Sequence, residues 1–399
     1  MRPAGRIYVS ETRMSGKLIL ILLDGVSASL FEQYAHRLPH LQALTETGLL
    51  IQRLGADANA NSMPARAGIL TGVDATQHGI YANNLWNGQY FPPAQASDVR
   101  VPTLARVARA QNKRVASVGF GLVSADDCDW YLSPWWEDGC QRAKALSAPG
   151  LHSLSGGSES LTRIAANDHQ LLQQGWQLLK HQRPDLLMLE LNSPDYCQHL
   201  LGNERELVAW SLELVDAQLG CLLSRLQESG LASEYNLAIV SDHGHALVET
   251  ALVPEHIIPG VKTHCDGGLL FVACNNPAEL DSIDTRLSAY GVTRLDNPAY
   301  LPATHLEQLA VFVAPKNTSF EPAAKHAGNA PTARPKYVST HGMGPAHPDD
   351  ERIAIFSGPG VPERQIISRA NSLTVTPTLA QLLGITYEYA EKSHVDAVL

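Results

Sequence analysis

The chain has no excess of positive charge: 30 lysines and arginines face 40 aspartates and glutamates, a formal net charge of −10. A nucleic-acid polymer is therefore not an expected partner. Ions bound in a pocket can still reverse the local field and let an acidic protein handle phosphate. Cysteine is sparse and unpatterned. The six, Cys128, Cys140, Cys197, Cys221, Cys265 and Cys274, form no CxxC and no dense framework, which argues against a disulfide scaffold and for free thiols of a reducing compartment. No apolar stretch reads as long enough to span a bilayer, and the polar opening MRPAGRIYVSETRMSGK lacks the apolar core of a signal segment. A cytoplasmic location is the resulting expectation, with Met14 a second candidate start and residues 1–13 a disordered tail. No internal repeat or low-complexity tract occurs.

What is present is a large apolar fraction, 44%, against 18% charged residues in 399. That length exceeds one ordinary compact core, so one large domain with an insertion, or two domains, is expected. KLILILLDG (17–25), RVASVGFG (114–121), PDLLMLELNSPD (184–195) and NLAIVSDHG (236–244) read as strands. Helical patterns fall between them at 38–48, 100–113, 160–182 and 204–230. Strands alternating with helices predict an α/β fold: a doubly wound, mostly parallel sheet with helices on both faces. After residue 245 the alternation loosens. The domain reading is an N-terminal tail (1–16), a first core part (17–245), an inserted α+β cap (246–336) and a second core part (337–399), closed by a helix over 372–384.

In open α/β sheets, ligands sit beyond the carboxyl ends of the strands. Asp24, Asp195 and Asp242 fall there, each after an apolar run. Asp195 is followed by His199 in PDYCQHLLG, Asp242 by His243 in SDHG, and His341 stands in THGMG. Aspartate with neutral histidine suits zinc, with manganese as the alternative. Six such ligands divide into two three-ligand sites, and two metal ions side by side can clamp a phosphoryl oxygen and activate a hydroxyl.

With these motifs the chain resembles the alkaline phosphatase superfamily, and within it the nucleotide pyrophosphatase/phosphodiesterase branch. The resemblance covers about 17–245 and 338–385; the stretch 246–336 matches only in position and size. It implies one zinc on Asp195, His199 and His341 and a second on Asp24, Asp242 and His243. The family nucleophile is a Thr or Ser two residues before Pro, followed by TG and then HGI. Here Ser62-Met63-Pro64 leads into ILTG (69–72) and QHGI (77–80). The implied reaction is hydrolysis of a small-molecule phosphodiester or pyrophosphate through a phospho-Ser62 intermediate, with Ser62 also capping its helix and counted among the ligands of the second ion. The resemblance also puts substrate contacts at Tyr81, Asn83 and Asn84, whereas composition alone reads YANNLWNGQYF (81–91) as a plain loop with one or two rings packed on the core.

The chain departs from the pattern directly after Pro64. The family carries Asn there to meet a phosphoryl oxygen; this chain has Ala65 and Arg66. Arg66 reads either as a catalytic, bidentate replacement for that contact or as a solvated helix residue. SMPARAGILTG also satisfies a sulfatase-like pattern built on formylglycine. Against that reading, the motifs supply three histidines rather than oxygen ligands alone. A phosphonate hydrolase would use the same ligand set. The tryptophans Trp130, Trp135 and Trp136 read as loop anchors before a stacking wall. His245, His264 and His347 read as surface or outer residues, and HPDDER (347–352) as a solvated turn, with Asp349 or Asp350 a second choice as support for His341. Oligomeric state leaves no trace in the sequence.

Overall fold

The computed structural model describes residues 16–55, 59–134, 143–144, 161–274, 276–296, 298, 300–344, 347–390 and 397–399. Trp135 and Trp136 lie outside these residues. Ten strands form the central sheet. In chain order they are β1 (Leu18–Leu23), β2 (Leu49–Gly55), β3 (Val115–Val118), β4 (Trp130–Leu132), β5 (Ala143–Lys144), β6 (Leu186–Leu191), β7 (Asn236–Ser241), β17 (Arg352–Ser357), β18 (Gln365–Ile367) and β19 (Ala370–Asn371). The sheet order is β18-β2-β17-β7-β1-β6-β3-β4-β5, with β19 also paired to β2. The central run β7-β1-β6-β3-β4 is parallel, while β17 runs antiparallel to both its neighbours.

Both faces of the sheet are covered, and the alternation along β1 shows why. Leu18, Leu20 and Leu22 join one core with helices Ser62–Thr71, Leu104–Ala110 and Val375–Leu383. Ile19, Ile21 and Leu23 join the opposite core with Ala28–Tyr34, Pro39–Thr47 and the long helices Leu161–His181 and Arg205–Glu228. A strand with apolar side chains on both faces cannot sit with one face in water. Arg205–Glu228 corrects the reading that no segment is long enough to cross a bilayer: by length and composition it qualifies, with a mean hydropathy of 1.3 in its most apolar window. Half of that window is buried inside the protein, because the helix covers the sheet.

The parallel register decides where the functional residues lie. Leu23 pairs with Ser241 on one side and Leu191 on the other. Asp24, Asp242 and the segment after β6 therefore leave the sheet at the same edge. One boundary differs from expectation. The apolar run read as a strand through Asp195 stops at Leu191, and Ser193–Leu201 is a helix with Pro194 in its first turn. Buried Asp168 ends the strand there by accepting the Asn192 and Ser193 amides at 3.0 and 2.8 Å.

Between the core segments lie the short strands β8 (Ala246–Leu247), β9 (Thr250–Leu252), β10 (Lys262–Asp266), β11 (Leu269–Ala273), β12 (Thr293–Arg294), β13 (Leu309–Val313), β14 (Thr318–Phe320), β15 (Thr332–Ala333) and β16 (Ser339–Thr340). They form an antiparallel sheet β10-β11-β13-β12, a three-stranded sheet β14-β9-β15 and a ladder β16-β8. Alternation again sets the packing. Leu270, Val272 and Phe312 pack into this segment's own core, while Leu269, Phe271 and Val311 pack on Ala75, Tyr81 and Ala82.

His78, in the QHGI stretch, is buried in its turn and accepts the Ile80 amide on Nδ1 at 3.1 Å. Burial pushes its pKa down to about 3. As pH falls from the ordinary histidine value toward 3, the unfolded chain gains a proton that the folded ring refuses. Stability then falls by about 1.4 kcal/mol per pH unit from this group. His78→Asn is expected to flatten the stability profile between pH 6 and 4 by one proton, measured as urea-unfolding free energy against pH; an unchanged slope would disprove a neutral buried ring.

Candidate metal centre

Asp24 follows β1 and Asp242 follows β7, and the two are tied by backbone. The Gly25 amide donates to Asp242 Oδ1 at 3.2 Å, and the His243 amide donates to the same oxygen at 3.0 Å. Gly25 has φ +78°, and a Cβ there would lie 2.9 Å from Asp195 Cα, so only glycine lets these segments meet. At Gly244 a Cβ would lie 1.8 Å from the Asp349 carbonyl. The HPDDER segment is therefore packed on the DHG segment rather than solvated, and Asp350 is buried with it.

Ser62 is the first residue of helix Ser62–Thr71. Asn61 holds the N-cap position, so Ser62 is not the cap, and its hydroxyl is free for other contacts. Ser62 Oγ lies 3.0 Å from His243 Nε2. The same Nε2 lies 3.2 Å from Asp24 Oδ1 and 3.6 Å from Asp242 Oδ2. These two carboxylate oxygens are buried facing His243 Nε2, with Asp242 Oδ2 also 3.2 Å from Arg66 Nη1, whereas Asp24 Oδ2 and Asp242 Oδ1 are hydrogen-bonded elsewhere. Ligands about 2.0–2.2 Å from one tetrahedral zinc stand roughly 3.3–3.5 Å apart. The two carboxylate oxygens stand 3.2 and 3.6 Å from Nε2, near that spacing, and with the Ser62 hydroxyl beside them the donor set suits a small divalent cation.

A second set faces it. Asp195 and His199 project from one face of helix Ser193–Leu201, four residues apart. His199 Nε2 is 3.5 Å from Asp195 Oδ1, and His341 Nε2 and His243 Nε2 are each 4.0 Å from that oxygen. Each imidazole spends Nδ1 on an oxygen: His199 on the Ser339 carbonyl at 2.9 Å, His243 on the Gly244 carbonyl at 3.2 Å and His341 on Asn61 Oδ1 at 2.5 Å. With Nδ1 held this way, each ring would offer its Nε2 lone pair once a cation displaces any proton there, the arrangement metal-binding histidines use.

Among the described residues three compact donor sets occur: Asp24–Asp242–His243, Asp195–His243–His341 and Asp195–His199–His245. The structure thus brings all six expected ligands together. It regroups them, however: His341 closes with Asp195 and His243, while His199 closes with Asp195 and His245. His245, read from sequence as an outer residue, touches Asp195 at 2.8 Å.

Neither expectation for Arg66 describes its position. Its side chain is almost fully buried, with Nη2 at 2.7 Å from Asp24 Oδ2 and 2.6 Å from Glu190 Oε1, and Nη1 at 3.2 Å from Asp242 Oδ2. Arg66 is thus a counter-ion beneath the ligands rather than a phosphate contact or a solvated residue. Glu190 and Asn192 went unnoticed in the sequence; the signal was a glutamate inside the fully buried strand LLMLEL. Asn192 Nδ2 bridges Asp24 Oδ2 and Glu190 Oε1 at 2.9 and 2.8 Å. Burial works to raise the Asp24 carboxyl, but Arg66 and hydrogen bonds from His243 and Asn192 hold it well below its usual range. Burial, reinforced by the Asp24 charge, pushes Asp242 up to about 7. Burial disfavours charge on His243, yet Asp242, Asp24 and Asp195 outweigh it and raise the ring to about 9. The His243 shift marks a concentration of carboxylates around the ring that a cation would neutralise.

Of the expected substrate contacts, only Asn83 borders Ser62. Its amide donates to Asp266 Oδ2 at 3.0 Å and its Oδ1 accepts the Met63 amide at 2.9 Å. Tyr81 is buried against Phe271 and His305, with its hydroxyl accepting the Trp86 amide. Asn84 ties its own loop through the Phe91 carbonyl at 2.8 Å. Both side chains anchor the loop in this structure. His264 lies against Phe91 and Phe271 rather than at the centre, and half-buried Trp130 packs on the core.

The sequence matches the family described as type I phosphodiesterase / nucleotide pyrophosphatase over residues 18–329. It is 26% identical over 228 residues to ectonucleotide pyrophosphatase/phosphodiesterase family member 3 of Rattus norvegicus, covering 57% of this chain and 24% of that one. It is 26% identical over 239 residues to a venom phosphodiesterase of Naja atra, covering 57% and 26%. With bis(5'-adenosyl)-triphosphatase ENPP4 of Homo sapiens it shares 24% over 249 residues, covering 59% and 49%. The chain thus spans about a quarter of the length of the first two relatives and about half of the third. Human ectonucleotide pyrophosphatase/phosphodiesterase 5 superimposes with a TM-score of 0.69 at 17% identity, covering 93% of this chain and 95% of that one. The alkaline-phosphatase-like fold is shared.

Arg66→Met would leave Glu190 and two aspartates without a buried counter-charge, at an expected cost of about 3–5 kcal/mol. Adding Glu190→Gln should recover part of it. Urea unfolding in chelator is the measurement, and a change below about 0.5 kcal/mol for Arg66→Met alone would refute the counter-ion role.

Proposed function

The chain belongs to the type I phosphodiesterase / nucleotide pyrophosphatase family, and from that premise we propose that it hydrolyses a phosphodiester or pyrophosphate bond of a small molecule, with Ser62 as nucleophile between two divalent cations. One observation carries this reading. The Ser62 hydroxyl lies 3.0 Å from His243 Nε2, which also faces the buried carboxylates of Asp24 and Asp242, at the start of a helix.

In this reading Asp24, Asp242, His243 and Ser62 Oγ hold one ion, and Asp195, His199 and His341 hold the other. Zinc suits the mixed carboxylate–imidazole set, and the convergent histidine nitrogens argue against the all-oxygen surroundings calcium requires. When bound, the ions supply Lewis acidity that favours the serine alkoxide and offsets charge on the phosphoryl oxygens. Ser62 Oγ gives its proton to solvent water and attacks phosphorus; the Ser62–phosphorus bond forms as the bond to the leaving oxygen breaks. The leaving group departs with the electron pair and takes a proton from water. A water oxygen then attacks phosphorus from the vacated side, the Ser62 bond breaks, and the hydroxyl is restored.

The fixed residues shape this chemistry before substrate arrives. Arg66 and Asn192 hold Asp24 by Oδ2, so that carboxylate turns one oxygen toward the site. Asn83 is held at its backbone N–H and at Oδ1, next to Ser62 through the Met63 amide, which leaves its side-chain N–H donors for a phosphoryl oxygen in this reading.

Ser62→Ala is expected to lower kcat by at least about 1,000-fold while retaining metal, since three ligands remain at each position. Chelator should silence the native protein and zinc should restore it. Turnover of bis-p-nitrophenyl phosphate above p-nitrophenyl phosphate, phenylphosphonate and sulfate esters supports the diesterase reading. A preference for the sulfate, or full activity in Ser62→Ala, would overturn it.

A further inference from the structure

His245 lies outside the ligand set that resemblance implies, yet its side chain is 1% exposed and its Nε2 lies 2.8 Å from Asp195 Oδ1. The separation distinguishes two roles. Two donors about 2.0–2.1 Å from one tetrahedral ion stand roughly 3.3–3.4 Å apart. His199 Nε2 at 3.5 Å from the same oxygen meets that spacing. The His245 separation is shorter and has the length of an N–H···O hydrogen bond to a carboxylate.

Proton accounting extends the contact. A neutral His245 that donates from Nε2 leaves Nδ1 as an acceptor, and Ser339 Oγ lies 3.2 Å from it. The same hydroxyl lies 3.1 Å from the Ala246 carbonyl, so its one proton faces two acceptors. The Ser339 carbonyl accepts from His199 Nδ1. Ser339 therefore reaches both members of the Asp195/His199 pair, one through its backbone and the other through His245. It sits in β16, paired with β8 at Ser339↔Leu247 and Thr340↔Ala246, with His245 directly before β8 and His341 directly after β16.

We propose that His245 is a positioning residue for one ion position. It donates Nε2–H to Asp195, its tautomer is supported by Ser339, and the β8–β16 ladder is a common mount for Asp195, His199 and His341. The proposal rests on the two-ion reading above. The Asp24–Asp242–His243 position has its own supports in Arg66 and Asn192, so losing His245 should affect the two positions unequally.

The neighbourhood dictates the variant. A cavity of about 260 Å³ adjoins His245, lined also by Ser27, Gln198, Arg205, Ser339 and Asp349. In His245→Ala, water from this cavity would take the place of the ring and could donate to Asp195. His245→Leu fills the space without a donor, and His245→Gln keeps one. Metal-free native and variant proteins would be titrated with cobalt, read by visible absorption and metal analysis. His245→Leu is expected to retain one tight cobalt and to weaken the other about 10–100-fold. His245→Gln should come within a few-fold of native, and Ser339→Ala should weaken the same position to a smaller degree. If His245→Leu does not fold, Ser339→Ala carries the comparison.

Equal binding of both ions by a folded His245→Leu would overturn the proposal. So would ¹⁵N-histidine NMR showing His245 protonated on Nδ1 or bound to metal through Nε2; an Nε2–H resonance supports it. If the native protein itself takes up fewer than two ions, the two-ion reading fails, and the Nε2–H resonance alone decides the His245 contact.

Discussion

Three carboxylates, Asp24, Asp242 and Glu190, stand together in a buried pocket, and one guanidinium holds them there. Like charges excluded from water repel strongly unless paired. Arg66 is therefore a condition for the carboxyl ends of β1, β6 and β7 to meet at all. It also sits four residues after Ser62, one helical turn along the same face. The residue that neutralises the pocket and the hydroxyl that would react there thus ride on one rigid element. That coupling lets the helix begin at the centre of negative charge, where its amide dipoles are also favourable.

Much of this was legible in the sequence because it depends on local pattern. Apolar strands such as LILILL and NLAIVS are buried on both faces, and each ends at an aspartate by simple chain continuity. SDHG and THG stand out because histidines at strand ends have no packing reason to be there. Arg66 was illegible because its role depends on Glu190 and Asp242, residues far along the chain that only sheet register brings near. The same holds for Asp168, whose carboxylate stops a strand 24 residues on and starts the helix bearing Asp195. The strand reading through Asp195 failed at that point. Asn192, Ser193 and Pro194 are poor strand formers that the apolar run before them outweighed, and a tertiary hydrogen bond to the Asn192 amide marks where the strand stops.

The histidines show how little freedom the centre retains. Each of His199, His243 and His341 gives Nδ1 to an oxygen of fixed place, two of these being backbone carbonyls. Nitrogen lone pairs are thus aimed by the main chain, which no side-chain substitution can remove directly. Tyr81 and Asn84, expected at the substrate, instead secure the loop that carries Asn83. Composition could not separate the three, because tyrosine and asparagine serve equally as anchors and as contacts.

The Asn61–His341 hydrogen bond joins residues 280 positions apart, and Asn61 also donates to the Asp266 carbonyl, 205 positions away. The serine helix and the aspartate strand therefore cannot complete the pocket between themselves. Closure must wait for the segment around His341. The pocket is thus built from both ends of a long contour, and its completion is a property of the tertiary fold rather than of any local segment.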